Sequence, residues 1–216
     1  MDDAITAAIA QLADAGFDLV HAFDAAAAAR EPGWEHLAKP ARTTPVGLLV
    51  GNTRAMWPRF IAAMRDPSLA VESDPLDRYT ERTLEAAFPG APIEYGHRIY
   101  GETFLPFTRL AVATGLGALA ASNLVIHPVY GPWFALRAVI LARGQPPPVR
   151  LPIAAPCTCV PACRTTLDAA LASTSWEAWL AVRDACRLRA WRYPEEQIRY
   201  HYTKEWIPPV EDPGSP

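Results

Sequence analysis

Apolar residues recur at helical spacing in several segments of the chain. In the first of them, Ile5, Ile9 and Leu12 lie on one face, which predicts a helix that Asp3 caps and Gly16 ends. The same spacing recurs further along. Helices are predicted at residues 4–15, 52–65, 75–88, 107–121, 167–171, 176–189 and 195–206.

Strands are indicated where apolar and polar residues alternate, or where an apolar run is short and unbroken. The two final strands are predicted to pair with each other across the turn Pro128–Pro132. Because strands are interspersed with helices, an α+β fold is expected. Strands are predicted at residues 17–23, 46–50, 93–100, 124–127 and 133–141.

The composition excludes several classes of protein. The chain has 216 residues, of which 50% are hydrophobic and 20% charged, so it is too apolar to be disordered as a whole. A net charge of −3 is not the basic excess of a nucleic-acid-binding protein. The length predicts one domain, residues 1–206, and the proline-rich residues 207–216 a flexible tail.

One segment imitates a membrane span. From Leu110 to Leu136 no residue carries a formal charge unless His127 is protonated, but glycines and prolines interrupt the run, so a buried helix, a turn and a strand are expected instead. The acidic start, Asp2 and Asp3, does not fit a secretory signal, and four cysteines do not make a disulfide scaffold. A cytoplasmic protein that does not contact the membrane is therefore predicted.

The richest candidate chemistry lies between Asn123 and Arg137. His127, Tyr130 and Trp133 surround a turn, and Arg137 follows on an apolar strand. An arginine on a buried strand is costly unless an anion pairs with it. The anion could be a carboxylate of the chain, in a structural salt bridge, or a ligand held beside the aromatic rings.

Five motifs resemble, in order, those of the CblC (MMACHC) family of vitamin B12-processing proteins. Together they extend from about Val46 to Tyr202, roughly three quarters of the chain. They are Asn52-Thr-Arg-Ala-Met-Trp57, Asp74-Pro-Leu-Asp77, His127-Pro-x-Tyr-Gly-x-Trp-Phe-Ala-Leu-Arg137, Cys159-Val-Pro161, and Trp176-x-x-Trp179 with Arg192-Tyr-Pro-Glu-Glu-Gln197.

The resemblance implies a flavin-reductase-like, nitroreductase-related sheet flanked by helices. It also implies an enzyme that binds cobalamin in the base-off form and removes its upper axial ligand. Cyanide would leave by reduction with FMN or FAD and NADPH, and alkyl groups by attack of glutathione or another low-molecular-weight thiol. Downstream cobalamin-dependent enzymes are implied as partners, and a homodimer is compatible with the family.

The resemblance assigns a role to Arg137, whose planar guanidinium suits the carboxylate of the thiol cosubstrate. Arg183 is a second candidate for thiol binding, although it lies one place away from the family's position. Pro132 replaces a glycine of the family's motif. The residues expected to contact cobalamin are Asn52, Thr53, Met56, Gly115, Gly117, His127, Tyr130, Gly131, Trp133, Phe134 and Tyr193.

Alternatives remain for two groups of residues and for the function. His127 could ligate cobalt, but a histidine that stabilises the turn is the favoured interpretation. Cys157, Cys159 and Cys163, with Cys186, have spacing compatible with a metal site, whereas unligated thiols are the default. The chain could also be a cobalamin chaperone without enzymatic activity, or a flavin-dependent reductase that does not use cobalamin.

Overall fold

The computed structural model describes residues 2–154 and 160–205, and its centre is an antiparallel sheet of four strands in the order β1-β2-β8-β3. Two further pairs, β4 with β5 and β6 with β7, lie outside it. The strands are β1 (Leu19–Asp24), β2 (Val46–Asn52), β3 (Ile93–Tyr95), β4 (Ile99–Tyr100), β5 (Thr103–Phe104), β6 (Ala118–Leu119), β7 (Val125–Ile126) and β8 (Ala135–Ala142).

Helices cover both faces of the sheet. They are α1 (Asp3–Asp14), α2 (Ala25–Ala28), α3 (Met56–Ala63), α4 (Pro67–Ala70), α5 (Pro75–Ala87), α6 (Phe107–Ala113), α7 (Val160–Leu171), α8 (Trp176–Asp184) and α9 (Glu195–Thr203). Two short 3-10 helices, Glu35–Ala38 and Pro40–Arg42, lie between α2 and β2. The expected α+β fold with a sheet flanked by helices is therefore confirmed.

The unbroken apolar run at residues 46–50 forms a central strand, as predicted. Every residue of β2 is buried because β1 and β8 flank it and both of its faces are covered. Leu49 packs in one core cluster with residues of α2 and α6, and Val50 packs in another with residues of α1 and α5. The alternation of β2 thus divides the core into two layers.

The predicted pairing of residues 124–127 with 133–141 is wrong. β7 pairs with β6, and β8 pairs with β2 and β3, while only an isolated bridge joins His127 to Gly131. The predicted helix at 107–121 is also too long, since α6 ends at Ala113 before Gly115, whose φ is +76°. Residues 118–119 are then extended and available to pair with β7.

Several other helices in the structure begin or end at residues that differ from the predicted ones. Asp2, not Asp3, caps α1, because its carboxylate accepts a hydrogen bond from the Ala4 amide at 3.2 Å. α3 begins at Met56, and α8 ends at Asp184. The predicted helix at 167–171 is the end of the longer α7, and α9 ends at Thr203, so residue 206 and the tail lie outside the described residues.

The uncharged run at 110–136 is divided among α6, β6, β7 and the first residues of β8. Over the ranges 2–154 and 160–205, no helix combines the length and apolar character that a bilayer crossing requires.

Candidate functional site

A β-bulge places Arg137 at the end of the sheet where β2 finishes. Val50 pairs with Ala138 and Gly51 pairs with Leu136, so Arg137 has no partner in β2. Bulges re-aim side chains and are common beside functional sites. Leu136 packs in the core cluster of α2 and α6, and Ala138 in that of α1 and α5, so the bulge shifts the alternation of β8 by one residue.

The guanidinium of Arg137 is held by an amide rather than by a carboxylate. Its Nε donates to Oδ1 of Asn52 at 2.7 Å, and Nδ2 of the fully buried Asn52 donates to the carbonyl of Thr53 at 3.0 Å. Within the described ranges no carboxylate forms a salt bridge with Arg137. Burial lowers the pKa of Arg137, and Tyr193 and Asp77 oppose this effect.

Asp18 fixes the segment that follows β2. Its carboxylate accepts from the Thr53 amide at 2.7 Å and from the Thr53 hydroxyl at 2.5 Å. Met56 then begins α3 and packs in a core cluster with Phe60 and Tyr200 of α9. The motif around Asn52 is therefore anchored on both sides of the Arg137 contact, by Asp18 and by the core.

Arg183 lies against the residues that precede Arg137. Its Nη2 donates to the carbonyls of Pro132 at 2.9 Å and Phe134 at 3.1 Å. Its guanidinium carbon is 5.1 Å from the ring centre of Trp133 and 5.3 Å from that of Tyr193, in the range of cation–π contacts. We call Asn52, Trp133, Arg137, Arg183 and Tyr193 the arginine–aromatic cluster.

Among the described residues, several buried polar atoms in and beside this cluster have no hydrogen-bond partner of good geometry. Buried polar atoms without a partner are rare in folded proteins, and each of them calls for an explanation. Most are donors, and burial raises the pKa of Tyr193 and raises that of Tyr200 to about 12, so both hydroxyls keep their protons. These atoms are Trp133 Nε1, Arg183 Nη1, Tyr193 OH, Gln197 Oε1 and Tyr200 OH.

The turn after β7 is organised by His127. Its Nδ1 accepts from the amides of Val129 at 3.1 Å and Tyr130 at 3.2 Å, and its ring stacks on Tyr130 with 4.5 Å between centroids. Since Nδ1 accepts, the proton of the neutral ring is on Nε2, which offers a donor rather than a lone pair for cobalt. These hydrogen bonds are those of a histidine that stabilises a turn.

Two glycines of the predicted site permit close packing. Gly131 has φ +59°, and a Cβ on it would clash with the carbonyl oxygen of Leu188. Gly117 packs against Val125 and Ile126 of β7. Phe134 lies in the core cluster of α2 and α6, with its ring centre 6.0 Å from that of His127.

A cavity of about 720 Å³ lies elsewhere in the molecule. Its walls come from the end of β1, from α2 and α6, and from residues 148–152. None of the residues predicted for the site lines this cavity, but Gly115 follows Thr114 in its wall. The Nε2 of His21 donates to the Thr114 carbonyl at 2.8 Å, which ties α6 to β1.

The cysteine prediction falls only partly on described residues. Cys163 in α7 and Cys186 are buried, whereas Cys157 and Cys159 lie outside the described residues. Across residues 2–154 and 160–205, no three histidine, cysteine, aspartate or glutamate side chains are grouped so that they could hold a metal ion.

Sequence reasoning missed several of the residues that shape this region. Asp18 was not singled out because its partner Thr53 is 35 residues away in the sequence. Gln197 and Tyr200 lie in and beside the motif at 192–197, and only their burial without hydrogen-bond partners distinguishes them. The wall of the cavity has no sequence signal, because its segments are far apart in the chain.

An α+β protein with this antiparallel sheet has counterparts among known proteins. The fold is similar to that of a CblC protein of C. elegans, described as a B12-trafficking protein and a homologue of human MMACHC. The TM-score is 0.62 at 15% identity, over 92% of this chain and 91% of that one. No protein-family profile matches the sequence.

A sequence comparison points to the same family. The chain is 36% identical over 110 residues to a cyanocobalamin reductase / alkylcobalamin dealkylase of Bos taurus. The match covers 46% of this chain and 38% of the bovine protein, so it spans less than half of that relative. The resemblance to the CblC (MMACHC) family that the motifs indicate is thereby confirmed.

Proposed function

We propose that this protein binds cobalamin in the base-off form and removes its upper axial ligand. The observation that carries the proposal is the environment of Arg137. A bulge and the amide of Asn52 hold this arginine, and the described residues supply neither a carboxylate partner for it nor partners of good geometry for the buried donors beside it. The names of the bovine and nematode proteins supply the substrate class.

In this proposal the arginine–aromatic cluster binds the anionic end of a thiol cosubstrate, glutathione or another small thiol. Arg137, which is only partly buried, supplies the positive charge that contacts the carboxylate, and the buried Arg183 adds positive charge behind it. The thiolate sulfur attacks the alkyl carbon, an S–C bond forms, and the Co–C electron pair stays on cobalt. The protein positions the reactants, and the cobalt carries the chemistry.

The turn at His127 would face the corrin. The Nε2–H of His127 is a donor for a peripheral amide, and Tyr130, Gly131 and Phe134 provide apolar surface beside it. Cyanide removal would require reduction of cobalt, so that cyanide leaves with its electron pair, with FMN or FAD bound on the sheet and NADPH as the source of electrons.

The remaining expectations are part of the same proposal. Residues 1–206 form one cobalamin-processing domain, and the tail predicted at 207–216 lies outside the described residues. The protein acts in the cytoplasm and passes its product to downstream cobalamin-dependent enzymes, and a homodimer is compatible with this role.

Visible absorption spectra of methylcobalamin and cyanocobalamin, with and without the protein, test the function. A shift to the base-off spectrum is expected on binding, followed by conversion when a thiol, or NADPH with flavin, is added. Binding without conversion would support the chaperone alternative. Absence of a shift at micromolar protein would contradict the proposal and leave the flavin reductase.

Substitution of Arg137 tests the thiol site. Arg137→Ala should keep the base-off shift and raise the KM for thiol about tenfold or more, because a charge-assisted bond to a carboxylate is lost. Arg65→Ala is the control. Arg65 is exposed and follows the C-terminal end of α3, so its substitution should leave dealkylation unchanged. Unchanged thiol dependence in Arg137→Ala would remove this residue from the site.

A further inference from the structure

A series of hydrogen bonds leads from Asp18 to the guanidinium of Arg137. The Asp18 carboxylate accepts from the amide and from the hydroxyl of Thr53. The Thr53 carbonyl accepts from Asn52 Nδ2 at 3.0 Å, and Asn52 Oδ1 accepts from Arg137 Nε at 2.7 Å. The series joins the segment before β1 to the end of β2 and the bulge of β8, which are neighbouring strands.

These contacts hold the amide of Asn52 in one orientation. A carbonyl oxygen accepts hydrogen bonds and does not donate them, so the Thr53 carbonyl binds the amide nitrogen and Oδ1 turns toward Arg137. Reversal of the amide would place its NH2 group against the Nε–H of Arg137, donor against donor. Asn52 and Thr53 are both 0% exposed, so their side chains act on a ligand through Arg137.

Asn52 holds Arg137 without cancelling its charge. Among the described residues, hydrogen bonding of this guanidinium is confined to Nε, so both Nη groups remain for a ligand. A carboxylate at position 52 would accept the same hydrogen bond more strongly, but it would also neutralise the arginine. The amide therefore orients the guanidinium and leaves its positive charge for a bound anion.

Two carboxylates of α5 act on Arg137 from a greater distance. Asp77 and Asp74 oppose the effect of burial on the pKa of Arg137. Lys204 pairs with Asp74 at 2.8 Å, and Nδ1 of His97 lies 3.6 Å from Asp77. In the described ranges neither acid forms an ion pair with Arg137. Position 52 is thus where a carboxylate would pair with this arginine directly.

We propose that Asn52 sets the charge preference of the site for its thiol cosubstrate, and that Asp18 and Thr53 position its amide. The neutral acceptor leaves the charge of Arg137 uncompensated, and a carboxylate of the cosubstrate supplies the negative charge at the two Nη groups. This inference rests on the proposed thiol-dependent dealkylation. It makes Asn52, Thr53 and Asp18 positioning residues, because Arg137 alone of the four contacts the cosubstrate.

The KM for glutathione, compared with the KM for its diethyl ester, tests the proposal. The two compounds carry the same thiol, but the ester lacks free carboxylates. Asn52→Asp keeps the size of the side chain and places a negative charge beside Arg137. It should therefore raise the KM for glutathione about tenfold or more and leave the KM for the ester within about twofold of the wild-type value.

Two further measurements show whether the Asn52→Asp protein is otherwise intact. Its kcat at saturating thiol and its base-off shift with methylcobalamin should be those of the wild type. Asn123→Asp is the matched control, since it makes the same change at an exposed position between β6 and β7. This control should leave both KM values unchanged.

A pair of variants at Thr53 tests the positioning role. Thr53→Ser keeps the hydroxyl that donates to Asp18, whereas Thr53→Val keeps the shape of the side chain and removes the hydroxyl. Thr53→Val should raise the KM for glutathione about threefold or more, because the amide of Asn52 is then held less firmly. Thr53→Ser should stay within about twofold of the wild type, and the KM for the ester should not change in either variant.

The outcomes separate this inference from the proposed function. Absence of dealkylation by the wild type with either thiol would overturn the thiol step of that function and this inference with it. If the wild type is active but Asn52→Asp raises both KM values equally, or changes neither, only the inference is wrong. Equal effects of Thr53→Val and Thr53→Ser would contradict the positioning role of Thr53.

Discussion

His127 shows how one side chain can be fixed in a single protonation state. Its Nδ1 accepts two backbone amides, and burial together with the nearby His21 lowers its pKa from 6.5. Burial also lowers the pKa of His21, whose Nε2 donates to the Thr114 carbonyl. Both rings are therefore neutral in the folded protein at pH 7, and protonation of His127 would break the turn hydrogen bonds.

The free energy of unfolding should consequently decrease as the pH is lowered below 6.5. In that range the unfolded chain binds a proton at His127 while the folded protein does not, which costs up to about 1.4 kcal/mol per pH unit. His127→Asn keeps an acceptor for the turn but does not titrate. Urea denaturation at pH 7.0 and 5.5 should show a smaller loss of unfolding free energy in the variant, and an equal loss would contradict this account.

At the scale of residues, the sequence identified Arg137 and Asn52 as site candidates through the family motifs. It could not show that they touch, because 85 residues separate them and a bulge sets the direction of Arg137. The carboxylate partner considered for Arg137 is absent from the described residues, where Asn52 occupies its place. Burial and unmet hydrogen bonds, the features that single out Gln197 and Tyr200, exist only in the folded chain.

At the scale of elements, local patterns predicted α5 and β2 well. Asp74 caps α5 as its position before Pro75 indicates, and the apolar run of β2 is a buried central strand. A strand was predicted at β7 but with the wrong partner, and β6 was predicted as helix, because pairing leaves no periodic signal in segments of two residues. The end of α6 was missed because the sequence does not show that Gly115 has a positive φ.

The turn between β7 and β8 should depend on glycine at position 131. Gly131→Ala adds the cost of a positive φ to a clash with the Leu188 carbonyl, and should destabilise the protein by about 3 kcal/mol or more. Gly90→Ala is the matched control. Its φ is +73°, but an added Cβ would meet no atom within 4 Å, so a loss of about 1 kcal/mol is expected.

Chemical denaturation of the two glycine variants measures the difference. Gly131→Ala should also weaken base-off binding of cobalamin, because Leu188 must move and the turn at His127 moves with it. Similar stabilities for the two variants would mean that the segment at Leu188 adjusts without cost, and that the turn is not rigidly held.

At the scale of the molecule, two regions lie at different ends of the same sheet. The arginine–aromatic cluster is at the Asn52 end of β2, next to the start of β1, whereas the cavity begins at Ala22–Asp24, the end of β1. At about 3.3 Å per residue, β1 separates them by roughly 15 Å. A ligand that reaches both regions must be large, which fits the corrin of the proposed function.

This separation predicts that changes in the cavity leave the thiol site unaffected. Arg109→Gln removes a charge from the wall of the cavity and should leave the KM for thiol within about twofold of the wild-type value, because sites this far apart couple by no more than about 0.5 kcal/mol. Arg137→Ala should raise that KM by the same factor in the Arg109→Gln background as in the wild type. Steady-state dealkylation by the two single variants and the double variant measures this, and a larger deviation would mean that the cavity belongs to the reaction centre.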